Sequence, residues 1–445
     1  MKPARDEPAS GAGGGLFAAA PGLGIGPSVV AAFAVAYFLS SLVRAITATL
    51  APVLSDQFAL SPADLGLLAG AYFLGFAGPQ LLLGHWLDTV GPKRVLLGFL
   101  GMAVLGCAAF AAAGSLTSLV LARAAIGVGV CACLMAPMTA FRRWFAPALQ
   151  LRLSAWMLMT GALGIVASTL PVQWLLPVVG WRGIFVVLAL CFVASMVLLA
   201  WRVPAAAGGA PQPMAAGAAP GAEVPGYRDV WRHPLFVAMA PVGFVLCGGL
   251  VALQTLWVAP WLTKVQGLDA AAAALGLFWI NLALLATFAA WGAVTSWLER
   301  RGIDPPRLLA WGVPAALAWM ALCVALGPRA GALHWALGLV LLSVVTFAQP
   351  YLGQRIDVRL AGRALSAFNL TIFLGVFCVQ WAIGGAITAL QAAGWAPVAA
   401  HQAAFGGYLA LAAGAHAWFA VAVRRAGALA EAPSPVKGSD AGQPR

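Results

Sequence analysis

Apolar residues run along this chain in blocks of about twenty, separated by short polar patches. The pattern predicts twelve helical spans, over residues 29–52, 65–87, 93–114, 117–140, 153–175, 182–202, 234–260, 270–296, 306–327, 332–354, 364–390 and 402–423. Each is long enough to cross a hydrocarbon core of ~30 Å, which takes about 20 residues. The last two share one charge-free stretch between Arg363 and Arg424, divided by the turn-like Gln391-Ala392-Ala393-Gly394. Between the sixth and seventh spans, residues 203–232 are rich in Ala, Gly and Pro and read as a flexible linker. The predicted organisation is a disordered tail 1–27, a six-helix half 28–202, the linker 203–232, a second six-helix half 233–424 and a tail 425–445. The fold class is therefore an all-α integral membrane protein with two six-helix pseudo-symmetric halves.

Short signatures recur in order in the two halves. Trp86-Leu87-Asp88-x-x-Gly91 returns as Trp297-Leu298-Glu299-x-x-Gly302, and Thr47-x-x-x-Ala51-Pro52-x-Leu54 as Thr255-x-x-x-Ala259-Pro260-x-Leu262. Leu153-Ser154-Ala155 is answered by Leu365-Ser366-Ala367, and Gly180-Trp181 by Gly394-Trp395. The offsets are 211, 208, 212 and 214, so the order survives with small insertions. A hydrophobic chain built from two copies of one unit reads as a secondary transporter with its pathway between the halves.

Composition and charge sharpen this. Hydrophobic residues make up 62% of the chain, charged ones 9%, and mean hydropathy is +0.92. A soluble surface needs far more charge. If both termini are cytoplasmic, that side collects 20 of the 25 Lys and Arg, against Arg182, Lys264 and Arg329 outside. Basic loops facing anionic lipid account for the net charge of +12, and nucleic acid is not an expected partner. The seven cysteines all fall in apolar stretches with no Cys/His spacing like a zinc site, so metal and cofactor are both expected to be none. The residues before position 28 lack a signal-peptide core and read as a cytoplasmic tail.

At Gly84-His85-Trp86-Leu87-Asp88-Thr89-Val90-Gly91-Pro92-Lys93-Arg94 the chain resembles the major facilitator superfamily, whose signature there is Gly, an acid, Gly and then basic residues. Arg123 with Gly127 and Gly129 in the fourth span, and Gly180-Trp181-Arg182 before the sixth, also look like this family. Pro92 stands where a basic residue is usual, which shifts the charge pair by one. The resemblance implies the superfamily's fold, a monomeric state and a cytoplasmic gate at Gly84, Asp88, Gly91, Lys93 and Arg94, echoed by Glu299 and Gly302. Physically, Gly84 and Gly91 are expected to let backbones approach closely, and Asp88 to accept from nearby arginines. A solvated, topology-setting turn is the plainer alternative.

Ionisable residues inside spans are costly and are functional candidates by default. Arg44 and Arg123 are the two here, and none of the thirteen acidic residues falls within a predicted span. Arg44 lies eight residues before Pro52, read as the outer end of the first helix. It is either a cavity-facing anion binder or an interfacial anchor. For Arg123 the resemblance implies packing, helix orientation or proton coupling more often than direct substrate contact. Gln254, Asn281, Gln349, Tyr351 and Gln380 supply further polar groups that can orient a ligand or bridge helices. Trp257 and Trp261 read as interfacial aromatics.

Two buried cations without a buried anion favour a small organic anion as substrate. Export of an amphiphilic drug, metabolite or siderophore-like compound is the alternative. The fifth span, TGALGIVASTLP over 160–171, lacks the Gly-Pro pair common in drug–proton antiporters of the resembled family, which weakens it. An enzyme would need acid pairs or a His/Cys constellation in the spans, and a channel would not need in-order half repeats. The expected location is a bacterial inner membrane, with the lipid bilayer and a small molecule as partners.

Overall fold

A computed structural model describes residues 26–204, 226–301 and 304–431. The predicted tails and linker therefore lie largely outside the described residues, as does Gly302. The first half holds α1 (Pro27–Phe58), α2 (Pro62–Thr89), α3 (Pro92–Ala111), α4 (Leu116–Trp144), α5 (Pro147–Ala167) and α6 (Leu170–Arg202). The second holds α7 (Pro234–Val265), α8 (Ala270–Arg300), α9 (Pro305–Leu326), α10 (Ala332–Arg355), α11 (Val358–Ala392) and α12 (Pro397–Glu431). Eleven of these are long and apolar enough to cross a membrane, while the apolar part of α5, Arg152–Ala167, is shorter. No β-strand occurs among the described residues.

Three boundaries depart from the sequence reading. Pro52 does not end α1, which runs on to Phe58, so the acidic Asp56 lies in its last turns. The fifth helix stops at Ala167 rather than near 175, because Ser168 and Thr169 turn their hydroxyls back onto the Ile165 and Val166 carbonyls, at 2.6 Å each. Within the predicted linker, residues 227–232 form a short helix, Tyr227–Arg232.

The repeat extends to backbone conformation. Ala59 and Gly267, 208 residues apart, both adopt left-handed φ of 49° and 80° as they close α1 and α7. Ser61 and Asp269, at the same offset, then cap the next helices: Ser61 Oγ accepts the Asp64 amide, and Asp269 Oδ1 accepts that of Ala272 at 2.7 Å. Pro52 and Pro260 both sit inside their helices. Gly180 and Gly394 again share positive φ, 67° and 86°. Equivalent stretches of sequence thus make equivalent turns in the two halves.

The halves meet along α2 and α11, and again where α5 packs on α8 and α1 on residues 253–260 of α7. The α2–α11 seam needs small residues. A Cβ on Gly66 would lie 2.5 Å from the Gln380 carbonyl oxygen, and one on Gly384 would strike the Pro62 carbonyl. Further along, Phe76 of α2 meets Phe373 of α11 with ring centroids 4.5 Å apart. Besides the kink of α6 at Gly180, α7 and α10 depart from α-geometry. In α7, three π-helical segments occur at Val242–Cys247, Leu253–Trp257 and Trp261–Val265, and α10 tightens to a 3-10 turn at Ser343–Phe347. Such departures from α-geometry frequently mark functional positions.

Candidate functional site

With α1 extended through Pro52, Arg44 stands fourteen residues before Phe58, about 21 Å along the helix. That depth takes its guanidinium away from either helix end. It lies 5.5 Å from the Phe76 ring centroid, next to the Tyr72 and Tyr37 hydroxyls and the Cys133 thiol. Its Nε is buried without a hydrogen-bond partner. Arg123 of α4 is fully buried and sits 5.1 Å over the Tyr72 ring, with Nη1 donating to the Val43 carbonyl at 2.9 Å. Its Nε and Nη2 have no partner either. Among the described residues, neither arginine forms an ion pair with a carboxylate.

Tyr72 joins the two cations. Its hydroxyl donates to the Ser40 carbonyl at 3.3 Å, and its ring stacks near Phe76. The backbone of α1 is therefore held in the turn that leads into Arg44, at Ser40 by α2 and at Val43 by α4. Gly127 and Gly129 permit this, since a Cβ at either would strike the backbone of Tyr72 or Ala103. Sequence reasoning missed Tyr72 and Phe76, two aromatics one turn apart in an apolar run. Nothing in their spacing separates a cation's neighbour from a lipid-facing residue.

In the second half, the amides pair with one another. Gln254 Nε2 donates to Asn281 Oδ1 at 2.9 Å, tying α7 to α8. Gln380 Nε2 donates to Thr255 Oγ1 at 3.1 Å, its carbonyl accepts the Trp257 indole at 3.1 Å, and its buried Oε1 is unpartnered. Gln254, Thr255 and Trp257 all belong to the central π-segment of α7, which packs on α1. The neighbours of Arg44 (Phe76, Tyr72, Tyr37 and Cys133) all belong to the first half, while this amide group lies in the second half, where α7 meets α1. Gln349 is half-buried in α10. Tyr351 lies four residues from the end of that helix with its ring 5.8 Å from Arg355, apart from the mid-span group. Trp257 and Trp261 are core residues, 1% and 0% exposed, rather than interfacial ones.

At the α2–α3 turn Asp88 accepts from an arginine, as expected, while the glycines make no close approach. Asp88 pairs with Arg143 at the end of α4, at 3.1 Å, and Arg143 also donates to the Leu87 carbonyl. Lys93 Nζ donates to the Ala200 and Val203 carbonyls at 2.7 and 2.6 Å, capping α6. Arg94 is exposed. Gly84 and Gly91 have no heavy atom within 4 Å of a Cβ position, so neither marks a close approach. Gly91 is instead needed for its φ of 93° at the start of α3. Glu299 lies in the last turns of α8. The Asp88–Arg143 pair is 56% and 24% exposed, and surface pairs contribute at most about 1 kcal/mol. Asp88→Asn is therefore expected to leave the melting temperature within a few degrees of wild type; a collapse in differential scanning fluorimetry would assign the pair a larger role.

Helices that cross a membrane in two equivalent halves, with a polar group at their boundary, define a multi-pass membrane transporter. The chain belongs to the Major Facilitator Superfamily, whose family model matches residues 33–379. It is 29% identical over 170 residues to the "Hexuronate transporter" of Escherichia coli (strain K12), a match covering 37% of this chain and 38% of that relative. A "Probable sulfoacetate transporter" of Cupriavidus necator is 29% identical over 108 residues, 24% of this chain and 25% of the relative. These matches span well under half the length of either relative. In fold, the chain is similar to a bacterial homologue of the human lysosomal transporter Spinster in an inward-facing, unoccupied conformation, with TM-score 0.75, 18% identity, and 90% and 98% of the two chains covered. It is also similar to a D-xylose–proton symporter, with TM-score 0.69, 13% identity and coverage of 88% and 96%. This family and fold are those of transporters, which are generally not enzymes.

Proposed function

We propose that this protein carries a small organic anion across a bacterial inner membrane by alternating access, with residues 28–202 rocking against 233–424. Arg44 carries the reading: a mid-span guanidinium with an unpartnered Nε and no carboxylate counter-charge. A charge buried in this way is stabilised by an incoming anion and opposes a cation. Gln254, Asn281 and Gln380 line up across the boundary as groups that orient the ligand. The names of the two relatives, hexuronate and sulfoacetate transporters, designate anions and agree with this class. The end bearing Lys93, Arg142 and Arg143 faces the cytoplasm, since basic loops are retained there. The protein acts as a monomer and has no role for nucleic acid.

The test is thermal stabilisation of the detergent-purified protein by a panel of hexuronates, sulfonates, neutral hexoses and lipophilic cations. A ligand that binds only the folded state raises the melting temperature by mass action. Selective stabilisation by one or more anions is expected. Stabilisation confined to lipophilic cations would overturn the anion reading and favour export of an amphiphile.

A further inference from the structure

On the outer surface of the second half, a cavity of about 460 Å³ lies between α8, α9 and α10. Its walls are Trp291 of α8, Leu308 and Trp311 of α9, and Val340 and Leu341 of α10; Arg307 stands at its mouth. Trp311 is 81% exposed and Arg307 has 68% of its side chain exposed, so the groove opens outward from the bundle. We propose that this groove is a binding site for one acyl chain of an anionic phospholipid, with the headgroup phosphate at Arg307.

The groove runs inward from one end of the bundle. Arg307 is in the first turn of α9, at the end of the bundle that bears Lys93. Trp311 is one turn deeper, Trp291 lies nine residues before Arg300, and Val344 lies eleven residues before Arg355. At ~1.5 Å per residue these residues lie roughly 9 to 16 Å below that end, and Val340 and Leu341 carry the wall on to about 22 Å, past the ~15 Å of half a hydrocarbon core. Its floor is built for occupancy. Gly312 closes the floor by letting α9 pack directly on α10, since a Cβ there would press to 3.0 Å against Val344. The Trp291 indole is fixed edge-on by its bond to Ser343 Oγ at 2.9 Å. An apolar slot takes an alkyl chain of any lipid; a guanidinium at headgroup depth selects a phosphate that carries net charge. Asp304 caps α9 and sits 3.8 Å from Arg307, but segment 299–307 still carries three arginines against two acids.

Native mass spectrometry of the full-length protein, titrated with phosphatidylglycerol or phosphatidylcholine, tests this. Wild type is expected to retain phosphatidylglycerol at least tenfold more tightly. Arg307→Glu is expected to abolish that preference, while Arg329→Glu, a basic residue at the opposite end of the bundle, leaves it intact. Gly312→Leu is expected to displace both lipids; Val340→Trp, at a half-exposed position, blocks the same groove should the glycine variant fail to fold. Equal retention of the two lipids by wild type, or equal loss in Arg307→Glu and Arg329→Glu, overturns the proposal. Retention of both lipids by the groove-filling variant also overturns it. Competition by free glycerol phosphate would place the affinity in the headgroup alone and remove the acyl site.

Discussion

Arg44→Ala is expected to weaken anion binding by about three orders of magnitude. A guanidinium ~4 Å from a carboxylate or sulfonate contributes about 4 kcal/mol at an effective dielectric constant of ~20, and ~1.4 kcal/mol is a factor of ten. Arg44→Lys keeps the charge but not the planar fork, so it recovers only part of the loss. Arg123 provides the contrast. It is fully buried, forms no ion pair with a carboxylate among the described residues and leaves two nitrogens unpartnered. Replacing such a charge with an apolar side chain of similar length is often neutral or stabilising. Arg123→Met is therefore expected to melt at or above the wild-type temperature. Its anion affinity should nevertheless fall about tenfold, since a charge ~10 Å away contributes about 1–2 kcal/mol under the same dielectric. Calorimetric titration with the anion found in the ligand panel reads both effects. Wild-type affinity in Arg44→Ala would remove that residue from the site. Parallel losses of stability and affinity in Arg123→Met would make Arg123 a packing residue.

Gly127→Leu is expected to cost about 3 kcal/mol or more, enough to prevent recovery of monodisperse protein. The new Cβ would run into the Tyr72 carbonyl and come within 3.0 Å of the Phe76 amide, so α2 and α4 must part. That movement also breaks the stacking of Arg123 on Tyr72. Gly98→Leu is the control, at an exposed position of α3 with no heavy atom within 4 Å of its Cβ. It is expected to melt at or above the wild-type temperature, because leucine favours helix over glycine. Thermal melts of the two side by side decide the matter. A Gly127→Leu protein as stable as wild type would show that the two helices are not held in contact.

The membrane-spanning, two-half fold was legible because long apolar blocks and the in-order repeat both report on length and order, which a single sequence preserves. Boundaries were less legible where local chemistry decides them. Pro52 reads as a stop, yet α1 passes through it, and the hydroxyl back-bonds at Ser168 and Thr169 leave no periodic trace. Each π-segment in α7 shifts the phase of later residues by roughly 100°, so a fixed 3.6-residue period cannot report which face carries Gln254. At the site, Arg44 was visible because charge in an apolar run is rare. Tyr72 and Phe76 were not, since aromatics in such a run are common. The turn motif was recognisable, but the partners of Asp88 and Lys93 come from α4 and α6, more than fifty residues away.

The hydrogen bonds described between the halves, or between the short preceding helix and α2, are all neutral. Ala63 N–H meets Thr388 Oγ1 at 3.0 Å, Asn369 Nδ2 meets Gln80 Oε1 at 3.1 Å, and Tyr227 meets the Leu81 carbonyl at 3.3 Å. The charged contacts of the α2–α3 turn, Asp88–Arg143 and Lys93 on the end of α6, stay within the first half. At about 0.6 kcal/mol for each bond in a membrane, these three clasps total about 2 kcal/mol. Parting them leaves no stranded charge, and neither salt nor moderate pH alters their strength. In the proposed cycle, the polar contacts to be broken therefore add only about 2 kcal/mol to the cost of parting the halves, beside the packing of the α2–α11 seam. A bound solute would offset that polar share with only a few kcal/mol of differential affinity for the other arrangement.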